Sequence, residues 1–206
     1  MNDLPLHTLA SLARVLVALV VSLALAVPAG VFAGSRPRVD RWVSPLAYLL
    51  YPIPKIAFLP AFIVLLGLGE ASKLALLVTI LIFPLYLAAR DGVRDIPSEL
   101  VISARTLGLR GWSLTSHVYL PALLPRLFSA LRLGVGIALS VLFFAENFST
   151  EFGLGSLVMN QWAIMRYADM SWGIAALSLL GLVMFAAVDL LERWACPWSA
   201  RRREEA

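Results

Sequence analysis

The chain is predicted to be an all-α integral membrane protein with five transmembrane helices. Three observations carry this reading. The residues are 60% hydrophobic, with a mean hydropathy of +0.84, and a soluble domain of this size needs more polar surface than that leaves. The apolar runs continue for about 20 residues, the helix length that crosses about 30 Å of hydrocarbon. They lack the every-second-residue alternation of a membrane β-strand. The net charge of +4 comes mainly from arginine. In such a chain it reads as a topology signal rather than a nucleic-acid footprint, so no nucleic-acid partner is expected.

Taken in order, the spans fall at about 9–33, 45–68, 72–89, 122–145 and 171–191, within one transmembrane domain covering 1–206. In the first span, Pro28 and Gly30 interrupt the end, and Gly30 with Gly34 makes a small-xxx-small pair suited to close helix packing. Pro45, Pro52, Pro54 and Pro60 prevent the second span from being one straight helix. Its freed carbonyls need protein or a wet cavity, so it should face the bundle interior. Gly67 and Gly69 end it, and Glu70 and Lys73 lie at the turn into the third. A polar loop at 95–121 follows the third span. Between the fourth and fifth spans, Gly153 and Gly155 ahead of an apolar turn suggest a short helix dipping back toward the surface. A charged tail occupies 192–206. The opening run is too long for a signal-peptide core and has no basic segment before it.

Arginine and lysine set the orientation. Arg36, Arg38 and Arg41 crowd the first loop. Arg90, Arg94, Arg105 and Arg110 mark the third, and Arg193, Arg201, Arg202 and Arg203 mark the tail. The opposite side holds only Lys73 and Arg166. The positive-inside rule then places the N-terminus outside and the C-terminus in the cytoplasm. Trp42, Trp172, Trp194 and Trp198 fall at the expected lipid interfaces.

The loop at 95–121 is more organised than a connection requires. Asp95 is placed to cap a helix and Pro97 to open it. Glu99 adds favourable charge to its first turn. Gly108 marks its end, and Gly111 allows a second helical piece before Pro121 starts the fourth span. Small residues (Ser103, Ala104) stand beside Leu100, Val101 and Leu107, which suits either a groove in a partner or a headgroup surface.

Ser103-Ala104, three residues, Gly108, nine residues, Val118-Tyr119-Leu120-Pro121 resembles the signature of membrane subunits of binding-protein-dependent ABC importers. SARTLGLRGW is similar to the version in sulfonate/nitrate/taurine-type permeases. So are SLARVLVAL, YPIPKIAFLPAFIVLLGLGEASK, DGVRDIPSEL, LPALLPRLFSALRLGVGIAL and AEN, so the resemblance covers nearly the whole chain. It implies a type I importer permease core in a bacterial inner membrane. Ser103, Ala104, Arg105, Thr106, Leu107, Gly108, Leu120 and Pro121 would form the ATPase-coupling contact. The implied partners are a second permease copy, two cytoplasmic ATPases, an external solute-binding protein and membrane lipid. ATP and magnesium would belong to the ATPases, with no cofactor on this chain. The implied cargo is a small anion such as a sulfonate, taurine or nitrate, the alternative being a neutral heterocyclic vitamin precursor. Ile102 stands where the signature has glutamate, and Ser103 replaces its first alanine. The polar half of the coupling contact is therefore left to Glu99, Arg105 or Arg110, or is absent. Many such permeases carry a further helix before the region where this sequence begins.

An enzyme reading finds little in the residues. The two histidines, His7 and His117, lie in different regions, and neither lysine follows a phosphate-cradling glycine run. The single cysteine, Cys196, offers no disulfide or multi-cysteine metal site. Charges within the spans are functional candidates by default. Lys55 and Arg132 are candidates for attracting an anionic solute. Arg132 is also placed to snorkel, and Lys55 to bond carbonyls freed by the prolines. Glu146 and Asn147, at the outer end of the fourth span, are candidates for the substrate gate or for capping an interfacial helix. Arg14 is expected to anchor the first span near the outer surface, and Asp189 to pair with Arg193.

Overall fold

The structure, a computed structural model, describes residues 3–148 and 150–198. Arg201, Arg202 and Arg203 of the topology argument lie outside the described residues. Helices α1 (Leu4–Gly34), α2 (Pro37–Leu50), α3 (Leu59–Leu66), α4 (Glu70–Arg94) and α5 (Ser98–Thr106) come first. They are followed by α6 (Trp112–Leu114), α7 (Leu120–Ala145), α8 (Leu154–Ala163) and α9 (Tyr167–Ala195). No strand occurs among the described residues. Four helical stretches are long and apolar enough to cross a membrane: α1, α4, Trp112–Ala145 and α9. The pair Pro37–Leu50 and Lys55–Leu66, bent by 83° at its break, makes a fifth if counted as one span.

The proline-rich second segment is broken, as its composition predicts, but it starts earlier than residue 45. Pro37 sits at the start of α2, where its missing N–H costs nothing. The expected first loop therefore shrinks to Ser35 and Arg36, and Arg38 and Arg41 lie on a helix. After the break, a 3₁₀ turn (Lys55–Phe58) leads into α3, with Pro60 in its first turn. Pro28 does not interrupt α1, because one proline deletes a single intrahelical bond and neighbouring turns carry the helix on to Gly34. The short helix expected after Gly153 is α8.

A second boundary also differs. The helix of the fourth span begins at Trp112 rather than after Pro121. Pro121 has no N–H, and its ring would crowd the His117 carbonyl one turn earlier. The chain accommodates it through a wider π turn over Thr115–Tyr119, in which the Leu120 N–H donates to the Thr115 carbonyl. The second piece of the polar loop is thus continuous with the helix of the fourth candidate span.

The chain divides into two compact units. One contains α1 up to Ser22, Pro54–Leu81 and Leu133–Ala186. Within it Leu59, Leu76 and Ala145 are buried against Phe62, Ile63, Ile80 and Val141. In lipid this contact gains from close packing rather than from removal of water. The other unit contains Leu23–Ile53, Ile82–Arg132 and the end of α9 from Ala187. There Gly30 and Gly34 bring α1 against α4. A Cβ on Gly30 would lie 2.7 Å from the Ala89 Cβ and from the Tyr86 carbonyl. One on Gly34 would lie 2.6 Å from the Arg90 carbonyl. The small-xxx-small spacing therefore does the packing work expected of it.

Candidate functional site

The polar loop builds its short helix from local signals. Asp95 does not cap it. The Asp95 N–H still bonds the Asp91 carbonyl at the end of α4, and its carboxylate pairs with Arg126. Pro97 takes the capping position instead, in extended conformation, and its carbonyl accepts the Leu100 N–H at 3.1 Å. The helix ends in a Schellman motif. The Gly108 N–H donates to the Arg105 carbonyl and the Leu109 N–H to the Ala104 carbonyl, both at 3.0 Å. Gly108 has φ +89, a conformation that favours glycine.

The signature residues divide into two faces. Ser103, Ala104, Leu107 and Pro121 line a groove of about 550 Å³ that also touches Val118 and Trp198. Arg105 and Thr106 are exposed, Gly108 forms the cap, and Leu120 is half-buried. Leu107 is 82% exposed, and Leu100 and Ile102 are each more than half exposed. Ile102 thus stands at the surface where the signature has an acid. Glu99, Arg105 and Arg110 are exposed around it. The loop presents apolar side chains ringed by charge.

A second constellation lies in the other unit. Arg14 is nearly buried and uses its whole guanidinium. Nε and Nη2 donate to the two carboxylate oxygens of Glu70, each at 2.6 Å, while Nη1 donates to Glu146 at 2.6 Å and to the Phe152 carbonyl at 2.7 Å. Lys73 is buried nearby on α4. Glu146 also accepts from the Ser11 hydroxyl at 2.7 Å and from the Gly155 N–H at 2.8 Å. The Ser11 oxygen in turn accepts the Leu154 N–H, and His7 Nδ1 accepts the Gly153 N–H, both at 2.9 Å. Three side chains from elsewhere in the fold therefore satisfy successive N–H groups at the start of α8. This completes a helix terminus that its own cap position, Gly153, leaves bare.

Arg14 therefore ties α1 to the start of α4 and to Glu146 just after α7. Glu146 caps the start of α8. Neighbouring Asn147 has a buried carboxamide oxygen with no partner among the described residues. Lys55 sits in the 3₁₀ turn of the broken span, partly exposed. In the other unit, Arg132 pairs with Asp189 and Glu192, so Asp189 is committed to α7 and not to Arg193. Asp40, also missed in sequence, is buried under a bidentate Arg90 (2.6 and 2.7 Å) and joined by Arg94 and Ser44. A charge inside an apolar run announces that it needs a partner, but its identity depends on which helices meet. Cys196 is buried. Burial and the Glu192 charge push its thiol above the usual range, which suits an inert side chain. Among the described residues, no group of three or more His, Cys, Asp or Glu could hold a metal.

The Arg14–Glu146 pair yields a direct expectation. Removing one member strands the other in a buried site, at a cost of about 3–5 kcal/mol. Arg14→Ala should sharply lower the thermal midpoint of the purified protein. Adding Glu146→Gln, which removes the stranded charge, should recover part of the loss. Equal midpoints for wild type and Arg14→Ala would refute the hub.

Comparison with known proteins fits this geometry. Residues 26–198 match the family described as the binding-protein-dependent transport system inner membrane component. The taurine transport system permease protein TauC of Escherichia coli (strain K12) is 29% identical over 192 residues, which cover 93% of this chain and 70% of that one. A Bacillus subtilis (strain 168) protein, SsuC, described as an aliphatic sulfonates transport permease, aligns with the same identity and coverage. An inward-facing structure of the MetNI methionine ABC transporter superposes with a TM-score of 0.80 at 20% identity, over 95% of this chain and 97% of that one. That likeness concerns the fold. The chain belongs to the binding-protein-dependent transport system inner membrane component family: it is a multi-pass permease subunit of an ABC importer, a transport protein and not an enzyme.

Proposed function

We propose that two copies of this chain form the membrane path for a small organic anion of the sulfonate class, driven by cytoplasmic ATPases that grip α5. The observation that carries the proposal is α5 itself. It is a short helix closed by a Gly108 cap and fixed to a rigid span start, and it displays Leu100, Ile102 and Leu107 to a partner. Ser103, Ala104, Arg105, Thr106 and Gly108 form the coupling surface, with Leu120 and Pro121 setting the angle of the span behind it. Glu99, Arg105 and Arg110 supply the polar contacts that Ile102 cannot make. ATP and magnesium sit on the ATPases. Their closure draws the two coupling helices together and turns the path from inward- to outward-facing.

The same reading places the chain in a bacterial inner membrane, with the N-terminus outside and the C-terminus in the cytoplasm. A solute-binding protein delivers cargo beside α8. Along the path, Lys55 and Asn147 remain candidates for meeting the solute. Arg132 and Glu146 contribute by holding the helices that line it, since both are engaged within the chain. The sulfonate class is supported by the taurine and sulfonate names of similar permeases.

The test targets Gly108. A Cβ there meets nothing within 4 Å, so a substitution strains only the backbone of the cap. In the reconstituted importer, Gly108→Val should lower uptake at least about tenfold, the equivalent of 1.4 kcal/mol, while insertion and ATP hydrolysis persist. Normal uptake by this variant would remove the coupling claim. For cargo, the partner binding protein should bind taurine-like sulfonates in calorimetry. Binding of a neutral heterocycle instead would redirect the substrate to a vitamin precursor. A reporter fused to the N-terminus should be extracytoplasmic, and cytoplasmic labelling would overturn the orientation.

A further inference from the structure

α2 is polar on its inner side and apolar on its outer side. Its buried stripe consists of Asp40, Ser44 and Ala47. The opposite stripe, at i, i+4, i+7 and i+11, is Arg38, Trp42, Pro45 and Leu49, all exposed. Trp42 is 81% exposed and Leu49 is 69% exposed. A helix with this pattern gains nothing from water on its outer face, whereas a basic end followed by an apolar face suits a span that enters the hydrocarbon from a headgroup layer.

Charge is ordered along the same face. Arg36, Arg38 and Arg41 cluster at the N-terminal end, and the apolar residues follow. These arginines differ from most others in the fold. Arg14, Arg90, Arg94, Arg126, Arg132 and Arg166 each pair with an acid of the chain. Arg38 and Arg41 have no acid partner among the described residues, and Arg36 lies over the Phe32 ring at 3.9 Å. Asp40, the acid between them in sequence, is turned inward and held by Arg90 and Arg94. Three cations therefore stand at one end of an apolar helix face with no acid partner among the described residues.

We infer that the start of α2 binds an anionic phospholipid, with its phosphate between Arg38 and Arg41 and an acyl chain along Trp42 and Leu49. Residues three apart on a helix are neighbours, so both guanidinium groups reach one phosphate. From Arg38 to Leu49 the helix rises about 16 Å at 1.5 Å per residue, enough to accompany most of one acyl chain. The inference rests on the orientation proposed above, which places this end at the cytoplasmic leaflet, where anionic lipids attract basic residues.

The test uses the assembled importer, with retained lipid counted by native mass spectrometry during titration with phosphatidylglycerol or phosphatidylcholine. Phosphatidylglycerol should be retained in preference. Its affinity should fall about fivefold per arginine, roughly thirtyfold for Arg38→Gln/Arg41→Gln, since each basic side chain near an anionic surface contributes about 1 kcal/mol. Arg38→Lys/Arg41→Lys should keep most of the affinity, and millimolar inorganic phosphate should not displace the lipid. Equal retention of the two lipids, or unchanged phosphatidylglycerol binding by the Gln variant, would overturn the site. So would loss of ATPase subunits from the Gln variant with lipid binding intact, because the basic face would then serve the ATPase. None of these readouts depends on the cargo, so a failed uptake assay leaves the lipid result interpretable.

Discussion

Every buried charge in this chain must find its partner within the protein, because the membrane supplies no water to satisfy it. Arg14 meets that constraint most fully. Its guanidinium holds Glu70, Glu146 and the Phe152 carbonyl. Glu146 then reaches the first turn of α8. The same economy recurs at Asp40 with Arg90 and at Arg132 with Asp189 and Glu192. Such pairs add little net stability over a well-packed apolar core, but they are costly to break. Their effect is to specify which helices meet, in a setting where apolar contact alone is nearly indifferent between a helix and lipid.

The loop at 95–121 is held differently. α5 is set by backbone signals, Pro97 at one end and the Gly108 cap at the other, and its apolar side chains face outward. Pro121 and the π turn make Trp112 onward continuous with α7. A force applied near α5 can therefore reach a transmembrane helix through two glycine-containing turns rather than through a long flexible connection. A permease whose chemistry resides in other subunits needs a mechanical arrangement of this kind.

How much was legible in the sequence depended on the range of the signal. Apolar run length marked the long apolar helices, and glycine spacing marked a close-packing site on α1, the end of α5 and the existence of α8. These are local properties of a few consecutive residues. The partners of Arg14 were not legible, because Glu70 and Glu146 are remote in sequence. Three expectations failed for tertiary reasons. Asp189 looked committed to Arg193, because same-helix spacing is visible whereas Arg132 is not. Asp95 looked like a cap, because nothing local reveals that α4 runs on to Arg94. Pro121 looked like a helix start, because a π turn is a response to strain rather than a residue preference. The Ser103–Pro121 signature was legible as a pattern, but its exposure was not. That Leu107 and Ile102 are each more than half exposed required coordinates.

The central claim is that the outward face of α5 meets the ATPase. Site-directed crosslinking tests it most directly, with cysteine placed at Leu107 or Ile102 in a Cys196→Ser background of the assembled importer. The account predicts a covalent adduct to the ATPase subunit from both positions, and protection of both thiols from a soluble maleimide. Free modification of both thiols in the intact complex, without any adduct to the ATPase, would contradict it.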